Sequence, residues 1–120
     1  MVGGRRATVL VLEENAAVQE LVDQALRESG HRVLSTKHAL EAVELARRVE
    51  IDVLIAGVLL EERTEALIRE LRSIQPGVQV VCICDPDDDL AGIERTTRLS
   101  GPFSLAELGV AVAQSLDGGD

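Results

Sequence analysis

The sequence predicts a single α/β domain built on a parallel β-sheet with helices on both faces. Three observations support this prediction: the chain has 120 residues, short apolar runs alternate with helix-like segments, and short turns join them. A chain of this length suits one domain of the commonest size. Alternating strands and helices are typical of parallel sheets, because each return to the same sheet edge needs a crossover. We expect one domain over residues 1–120, with its core at about 7–116 and a frayed end or linker start at 117–120.

The first strand and the first helix are the most clearly marked elements. Thr8–Leu12 is a nearly continuous apolar run, which is typical of a strand buried on both faces. The period then becomes helical, and the predicted apolar stripe comprises Val18, Leu21, Val22, Ala25 and Leu26. Asn15 is placed to cap this helix, and Gly30 lies just past its end, where a left-handed residue is favoured.

The alternation of strand and helix continues along the chain. Apolar runs predict strands at Asp52–Ala56 and Val78–Cys84. Arg32–Thr36 is a weaker second strand, and Thr97–Ser100 is a poorly hydrophobic fifth one. The helix after the second strand has an apolar side with Leu40, Val43, Ala46 and Val49. The helix after the third strand extends from about Glu62 to Ile74, and Pro76-Gly77 ends that unit.

The last third of the chain predicts one short helix and one long helix. Near Leu90 to Arg95, the Asp-rich sequence leaves room only for a shortened fourth helix. The final helix begins at the capping box Ser104-Leu105-Ala106-Glu107, in which the Ser and Glu side chains satisfy free backbone N–H groups. Its expected buried residues are Leu105, Leu108, Val112 and Leu116.

Charge and composition exclude several classes of function. With 12 basic and 21 acidic side chains the net charge is −9, which disfavours binding to nucleic-acid phosphates. Phe103 is the only aromatic residue, so the chain offers no stacking platform for bases or flavin rings. Its apolar runs are far shorter than the roughly 20 residues that span a bilayer. Because two cysteines cannot supply a disulfide framework, we expect a protein of the reducing cytoplasm.

Residues at the predicted carboxyl ends of the strands carry a resemblance to a known family. They lie in Val9–Asn15, Ile51–Gly57 and Gly101–Ser104. In order and spacing, the chain from about Thr8 to Leu116 resembles the receiver domain of bacterial two-component response regulators. The resemblance implies a flavodoxin-like, doubly wound sheet of five parallel strands in the order 2-1-3-4-5. It also implies a place in two-component signal transduction or a phosphorelay.

The residues with which receiver domains accept phosphate are replaced in this chain. The resemblance places Glu13 and Glu14 at the acidic metal-binding pair and Gly57 at the acceptor aspartate. It places Cys84 where receiver domains have a threonine or serine, and Gly101 where they have a lysine. Gly57 has no side chain that could form an acyl phosphate, and Gly101 supplies no ammonium. Without a third carboxylate, Glu13 and Glu14 are weak Mg²⁺ ligands at best, so we expect no cofactor.

The parts that transmit phosphorylation in the family are altered as well. The resemblance places Arg98 at the switch position, where receiver domains carry an aromatic residue. Pro102 is retained, and the resemblance implies a cis bond between Gly101 and Pro102. We therefore expect a pseudo-receiver that has no catalytic residues and is not an enzyme.

The function we expect is phosphorylation-independent signalling through protein–protein interaction or dimerisation. The resemblance places the contact face on the fourth predicted helix, the fifth strand and the last helix. Its candidate residues are Leu90, Ile93, Arg95, Arg98, Leu105, Leu108 and Val112. The expected partners are another protein or a dimer mate, with an output domain following in a longer chain, and no direct contact with nucleic acid or membrane.

Two alternative functions stay open at this point. The domain could be phosphorylated on a displaced carboxylate, for which Glu61, Glu62 and Asp85 are the candidates. It could also be a small-molecule-binding flavodoxin-like domain, although no Gly-rich phosphate loop follows the first strand.

The remaining histidines and cysteines have ordinary structural interpretations. His31 and His38 have no cysteine or carboxylate at ligand spacing, so we expect them on the surface. Cys82 and Cys84 are two residues apart on a predicted strand and are expected to be small buried side chains. Cys84, at the strand tip, could also be a reactive thiol.

Overall fold

The structure is a computed structural model that describes residues 6–57, 61–84, 96–100 and 104–118. Its elements in chain order are β1 (Thr8–Leu12), α1 (Ala16–Glu28), β2 (Arg32–Thr36), α2 (Ala39–Arg48), β3 (Val53–Gly57), α3 (Glu61–Ile74), β4 (Gln79–Cys84), β5 (Thr96–Ser100) and α4 (Leu105–Gly118). The strands and helices agree with the predicted ones to within one or two residues at most ends. The predicted short helix at Leu90 to Arg95 lies outside the described residues. Residues 117 and 118 belong to α4, within the segment 117–120 that was expected to be a frayed end or the start of a linker.

The five strands form one parallel sheet in the order β2-β1-β3-β4-β5, which confirms the predicted fold. In register, Leu12 pairs with Thr36 on one side and with Ala56 on the other. Gly57, the last residue of β3, pairs with Ile83 of β4. Because all strands run in the same direction, the residues that follow β1, β3 and β4 meet at one edge, here called the carboxyl edge.

Apolar layers cover both faces of the sheet. On one face α1 and α4 pack against alternate strand residues, namely Val9, Val11, Val53, Ile55 and Val81. On the other face α2 and α3 pack against the residues between them, namely Leu10, Leu12, Leu54, Ala56 and Val80. Successive strand side chains point to opposite faces, so a sheet that is covered twice needs continuous apolar runs.

Three leucines that the helical periodicity placed in the core are exposed instead. Leu21, Leu40 and Leu105 are 56%, 84% and 48% exposed. Each lies at the margin of its apolar stripe, and the centre of each stripe is buried as predicted. In α4 the core also takes Ala111 and Ser115, and the Ser115 hydroxyl donates to the Ala111 carbonyl at 3.0 Å.

The predicted helix ends are confirmed where the structure describes them. The Asn15 side chain accepts hydrogen bonds from two backbone N–H groups of the first turn of α1, at 3.0 and 3.1 Å. Gly30 has a φ of 92°, the left-handed conformation expected after the helix. Ser104 and Glu107 bond reciprocally, each backbone N–H donating to the other side chain at 3.1 Å. None of the four described helices combines the length and the apolar character needed to cross a lipid bilayer.

Candidate functional site

Four of the five predicted site positions lie at the carboxyl edge of the sheet. Glu13 and Glu14 follow β1, Gly57 ends β3, and Cys84 ends β4. The fifth position, Gly101, comes directly after β5 and lies outside the described residues, as does the predicted cis bond to Pro102. The order of the strands therefore brings together the positions that the sequence analysis had selected from separate parts of the chain.

Gly57 is buried, and the Glu13 carboxyl group lies directly against it. The two residues are one step beyond the last paired residues of β1 and β3, so they are side by side at the sheet edge. A Cβ atom on Gly57 would collide with Oε1 of Glu13, and it would lie 3.0 Å from Cδ and 3.3 Å from Oε2. Non-bonded carbon atoms prefer separations of about 3.5–4.0 Å. The Glu13 carboxyl group thus occupies the space that a side chain at position 57 would need.

Hydrogen bonds hold Glu13 in this place. Its Oε2 atom accepts the backbone N–H of Asn15 at 2.9 Å, and its own N–H donates to the Thr36 carbonyl at 3.1 Å. The Gln19 side chain of α1 donates to the same Thr36 carbonyl at 2.8 Å and to the Glu13 carbonyl at 3.3 Å. The loop after β1 is therefore tied to the start of α1 and to the end of β2.

Glu14, the other member of the acidic pair, faces a different part of the surface. It is exposed and lines an open groove of about 600 Å³ between α2 and α3. The groove also includes Lys37, the only lysine of the chain. The full lining is Glu14, Lys37, His38, Ala39, Leu40, Val43, Ala66, Leu67 and Glu70. Glu13 and Gly57 are not among the residues that line this groove.

Comparison with known proteins shows similarity to individual response regulators. No family model matches the chain. The probable transcriptional regulatory protein TcrX of Mycobacterium tuberculosis is 30% identical over 111 residues, which cover 88% of this chain and 47% of that protein. The response regulator receiver protein Anae109_2439 of Anaeromyxobacter sp. (strain Fw109-5) is 30% identical over 90% of this chain and 45% of its own length. The crystal structure of a response regulator from Thermotoga maritima matches with a TM-score of 0.82 and 26% identity, covering 94% of this chain and 99% of that one.

The chain is a response regulator receiver domain. It spans less than half of the length of the two curated relatives named above. In this receiver domain the third strand ends in a glycine, so the residue at that place offers no functional group.

The expected contact face of the receiver domain needs a correction. Leu108 and Val112 were candidates for it, but they are 0% and 1% exposed and belong to the core beneath α4. Of the predicted face only Leu105 is described as exposed, and Arg98 is described by its backbone alone, paired with Cys82 in the sheet. The candidates Leu90, Ile93 and Arg95 lie outside the described residues.

The residues proposed for metal binding or displaced phosphorylation are only partly described. Among the described residues, no group of three or more His, Cys, Asp or Glu side chains stands close enough to hold a metal ion. Glu61 and Glu62 form the first turn of α3. Asp85 lies outside the described residues. Cys82 is buried, as expected, and Cys84 is described by its backbone alone.

His31 has a role that the sequence analysis missed. It was expected on the surface, but it is partly buried, and its Nδ1 atom accepts the backbone N–H of Ala7 at 3.1 Å. Burial lowers the pKa of His31 below its usual 6.5, because the charged form loses hydration. The accepting Nδ1 also requires the neutral ring. No local sequence signal reports this contact, since the two residues are far apart along the chain.

Proposed function

We propose that this receiver domain is a pseudo-receiver that signals without phosphorylation, through contact with another protein or a second copy of itself. One observation carries the proposal: Gly57 ends β3 at the acceptor position and has no side chain that could form an acyl phosphate. The contact of the Glu13 carboxyl group with Gly57 adds support, because it fills the space in which an acceptor would stand.

The arrangement of the acidic pair supports a site that works without Mg²⁺. Magnesium requires near-octahedral oxygen ligands at about 2.0–2.1 Å, and two-carboxylate sites depend on convergent geometry. Here Glu13 turns toward Gly57 and the Asn15 N–H, while Glu14 faces the groove between α2 and α3. We therefore propose that the domain has no cofactor and is not an enzyme.

A thermal titration with Mg²⁺ and beryllofluoride, a phosphoryl mimic, tests this proposal. A ligand at 100 times its dissociation constant stabilises a folded protein by about 2.7 kcal/mol, which a melting curve resolves. We expect no saturable rise in Tm at millimolar concentrations of both. A saturable rise that disappears in the Glu13→Ala/Glu14→Ala variant would contradict the proposal. A magnesium-dependent rise that persists in this variant would indicate a displaced site.

The outer face of α4 is the surface that best supports the contact function. Leu105 and Val110 are 48% and 56% exposed, and the exposed residues Ala106, Gly109 and Ala113 lie on the same side of the helix. The exposed polar residues Glu107 and Gln114 border this side. Glu107 is the only charged residue described on this helix with its side chain, and it is engaged in the capping box. A helix that is apolar on both its inner and outer sides is typically covered. We propose that a partner or a second copy covers this face.

Sedimentation velocity over a concentration series tests whether the outer face of α4 mediates association. Val110→Glu places a charge on this face and is expected to weaken association at least tenfold, whether with a second copy or with a co-purified partner protein. Leu40→Glu is the matched control, since Leu40 is 84% exposed on α2, which packs on the opposite side of the sheet. Loss of association in the control but not in Val110→Glu would place the contact elsewhere.

The cellular setting is proposed from the same family membership. The greater length of the curated relatives supports an output domain that follows this receiver domain in a longer chain. The net charge of −9 supports a partner protein and disfavours direct contact with nucleic acid or an anionic membrane surface. We propose that the receiver domain acts in the cytoplasm.

A further inference from the structure

We infer that the Glu13 carboxyl group, here called the plug, takes the place of an acceptor side chain at position 57. The residue types at positions 13 and 57 therefore depend on each other. The space beside Gly57 at the end of β3 can hold either the Glu13 carboxyl group or a side chain on residue 57, but not both in their present places. The inference rests on the proposed function and deepens it, because it names the group that fills this space.

The steric part of the argument concerns the Glu13–Gly57 contact. Gly57 is buried in β3, and a single methyl group there would collide with Oε1 of Glu13. The Glu13 carboxyl group could swing away, because it is the far end of a flexible side chain. Swinging away, however, would break the 2.9 Å hydrogen bond from the Asn15 N–H to Oε2. Glycine at position 57 is thus the residue that lets Glu13 keep both contacts.

The hydrogen bonds of Glu13 connect the plug to α1 and to β2. Asn15, which donates to Glu13, is also the residue that caps α1 through its side chain. The backbone of Glu13 is joined to the end of β2 through the Thr36 carbonyl. The plug therefore fixes the loop after β1 in one arrangement. We infer that it holds the receiver domain in a single state, which a phosphoryl donor or Mg²⁺ does not change.

A double-mutant cycle on Tm tests the pairing. Gly57→Ala in the natural sequence is expected to lower Tm by roughly 4–8 °C, the shift typical of one lost hydrogen bond or a small overpacking in a small domain. In the Glu13→Ala background the same change is expected to leave Tm unchanged or to raise it, since alanine suits a strand better than glycine does. Glu14→Ala is the matched control background, in which Gly57→Ala should keep its full effect.

A second comparison tests the charge of the plug. Asp and Asn have nearly the same shape, but Asp would place a second carboxylate against Glu13. At neutral pH we expect Gly57→Asp to have a lower Tm than Gly57→Asn. The difference should vanish in the Glu13→Gln background, which removes the charge of residue 13 and keeps its shape. A steric effect alone would not depend on that charge.

The outcomes separate this inference from the proposed function. Equal effects of Gly57→Ala in the natural and Glu13→Ala backgrounds would overturn the plug, even if the domain never accepts phosphate. If Gly57→Ala does not fold, folding of the double variant supports the plug, and failure of the double variant overturns it. A domain that accepts phosphate on another residue would refute the proposed function but leave a measured coupling between residues 13 and 57 intact.

Discussion

Replacement of Gln75 by alanine should destabilise the receiver domain more than replacement of an exposed glutamine does. Gln75 follows α3, and its side chain reaches across to the end of α2 and the chain that enters β3. Its Nε2 atom donates to the carbonyls of Ala46 and Val49 at 2.6 and 2.7 Å, and its Oε1 atom accepts the N–H of Ile51 at 2.6 Å. The carbonyls at a helix end have no partner within the helix, so the Gln75 amide supplies one.

The size of the effect follows from these three hydrogen bonds. Each contributes about 0.5–1.5 kcal/mol net, and Ile51, which is 4% exposed, would leave its N–H without water. We expect Gln75→Ala to lower the free energy of unfolding by about 2–4 kcal/mol, measured by urea denaturation followed by circular dichroism. Gln24→Ala is the control, because Gln24 is exposed and makes one 3.2 Å bond to Glu28. A loss below about 1 kcal/mol for Gln75→Ala would refute the reasoning.

Three further predictions concern two glycines and one histidine. Gly109→Ala should raise the free energy of unfolding by about 0.5–1 kcal/mol, because Gly109 lies within α4 and a Cβ there meets nothing within 4 Å. Gly30→Ala should lower it by about 1 kcal/mol, since Gly30 also has open space but a φ of 92°. Because the folded pKa of His31 lies below its unfolded value of 6.5, the unfolded chain binds the proton first, and stability should fall as the pH drops through 6.5. His31→Gln should flatten this dependence in urea titrations between pH 7.5 and 5, and an unchanged slope would contradict the assignment.

The fold could be predicted from the sequence because its signals are local and strong. Continuous apolar runs such as Thr8–Leu12 indicate strands covered on both faces, and the structure places all of them in one parallel sheet. Burial was predicted less well for residues at the margins of the apolar helix stripes. Leu21 and Leu40 have the right spacing for the core, but a helix side chain at the stripe margin can turn to either side.

The place of the candidate site was also predictable, but its internal contacts were not. Parallel strands deliver Glu13 and Gly57 to one edge, which topology alone implies. That Glu13 turns across to Gly57 depends on side-chain conformation and on the spacing of β1 and β3, neither of which a sequence pattern reports. The His31 bond to Ala7 was missed for a similar reason, since it joins the chain before β1 to the chain before β2.

The central claim is that the residue at the end of β3 cannot accept phosphate, and intact-mass measurement tests it most directly. The receiver domain is incubated with acetyl phosphate and Mg²⁺ beside a conventional receiver domain as positive control. The account predicts an unchanged mass for this chain while the control gains one phosphoryl group. A stoichiometric gain that is reversed by hydroxylamine, which cleaves acyl phosphates, would contradict it, and peptide mapping would then show which carboxylate had taken the acceptor role.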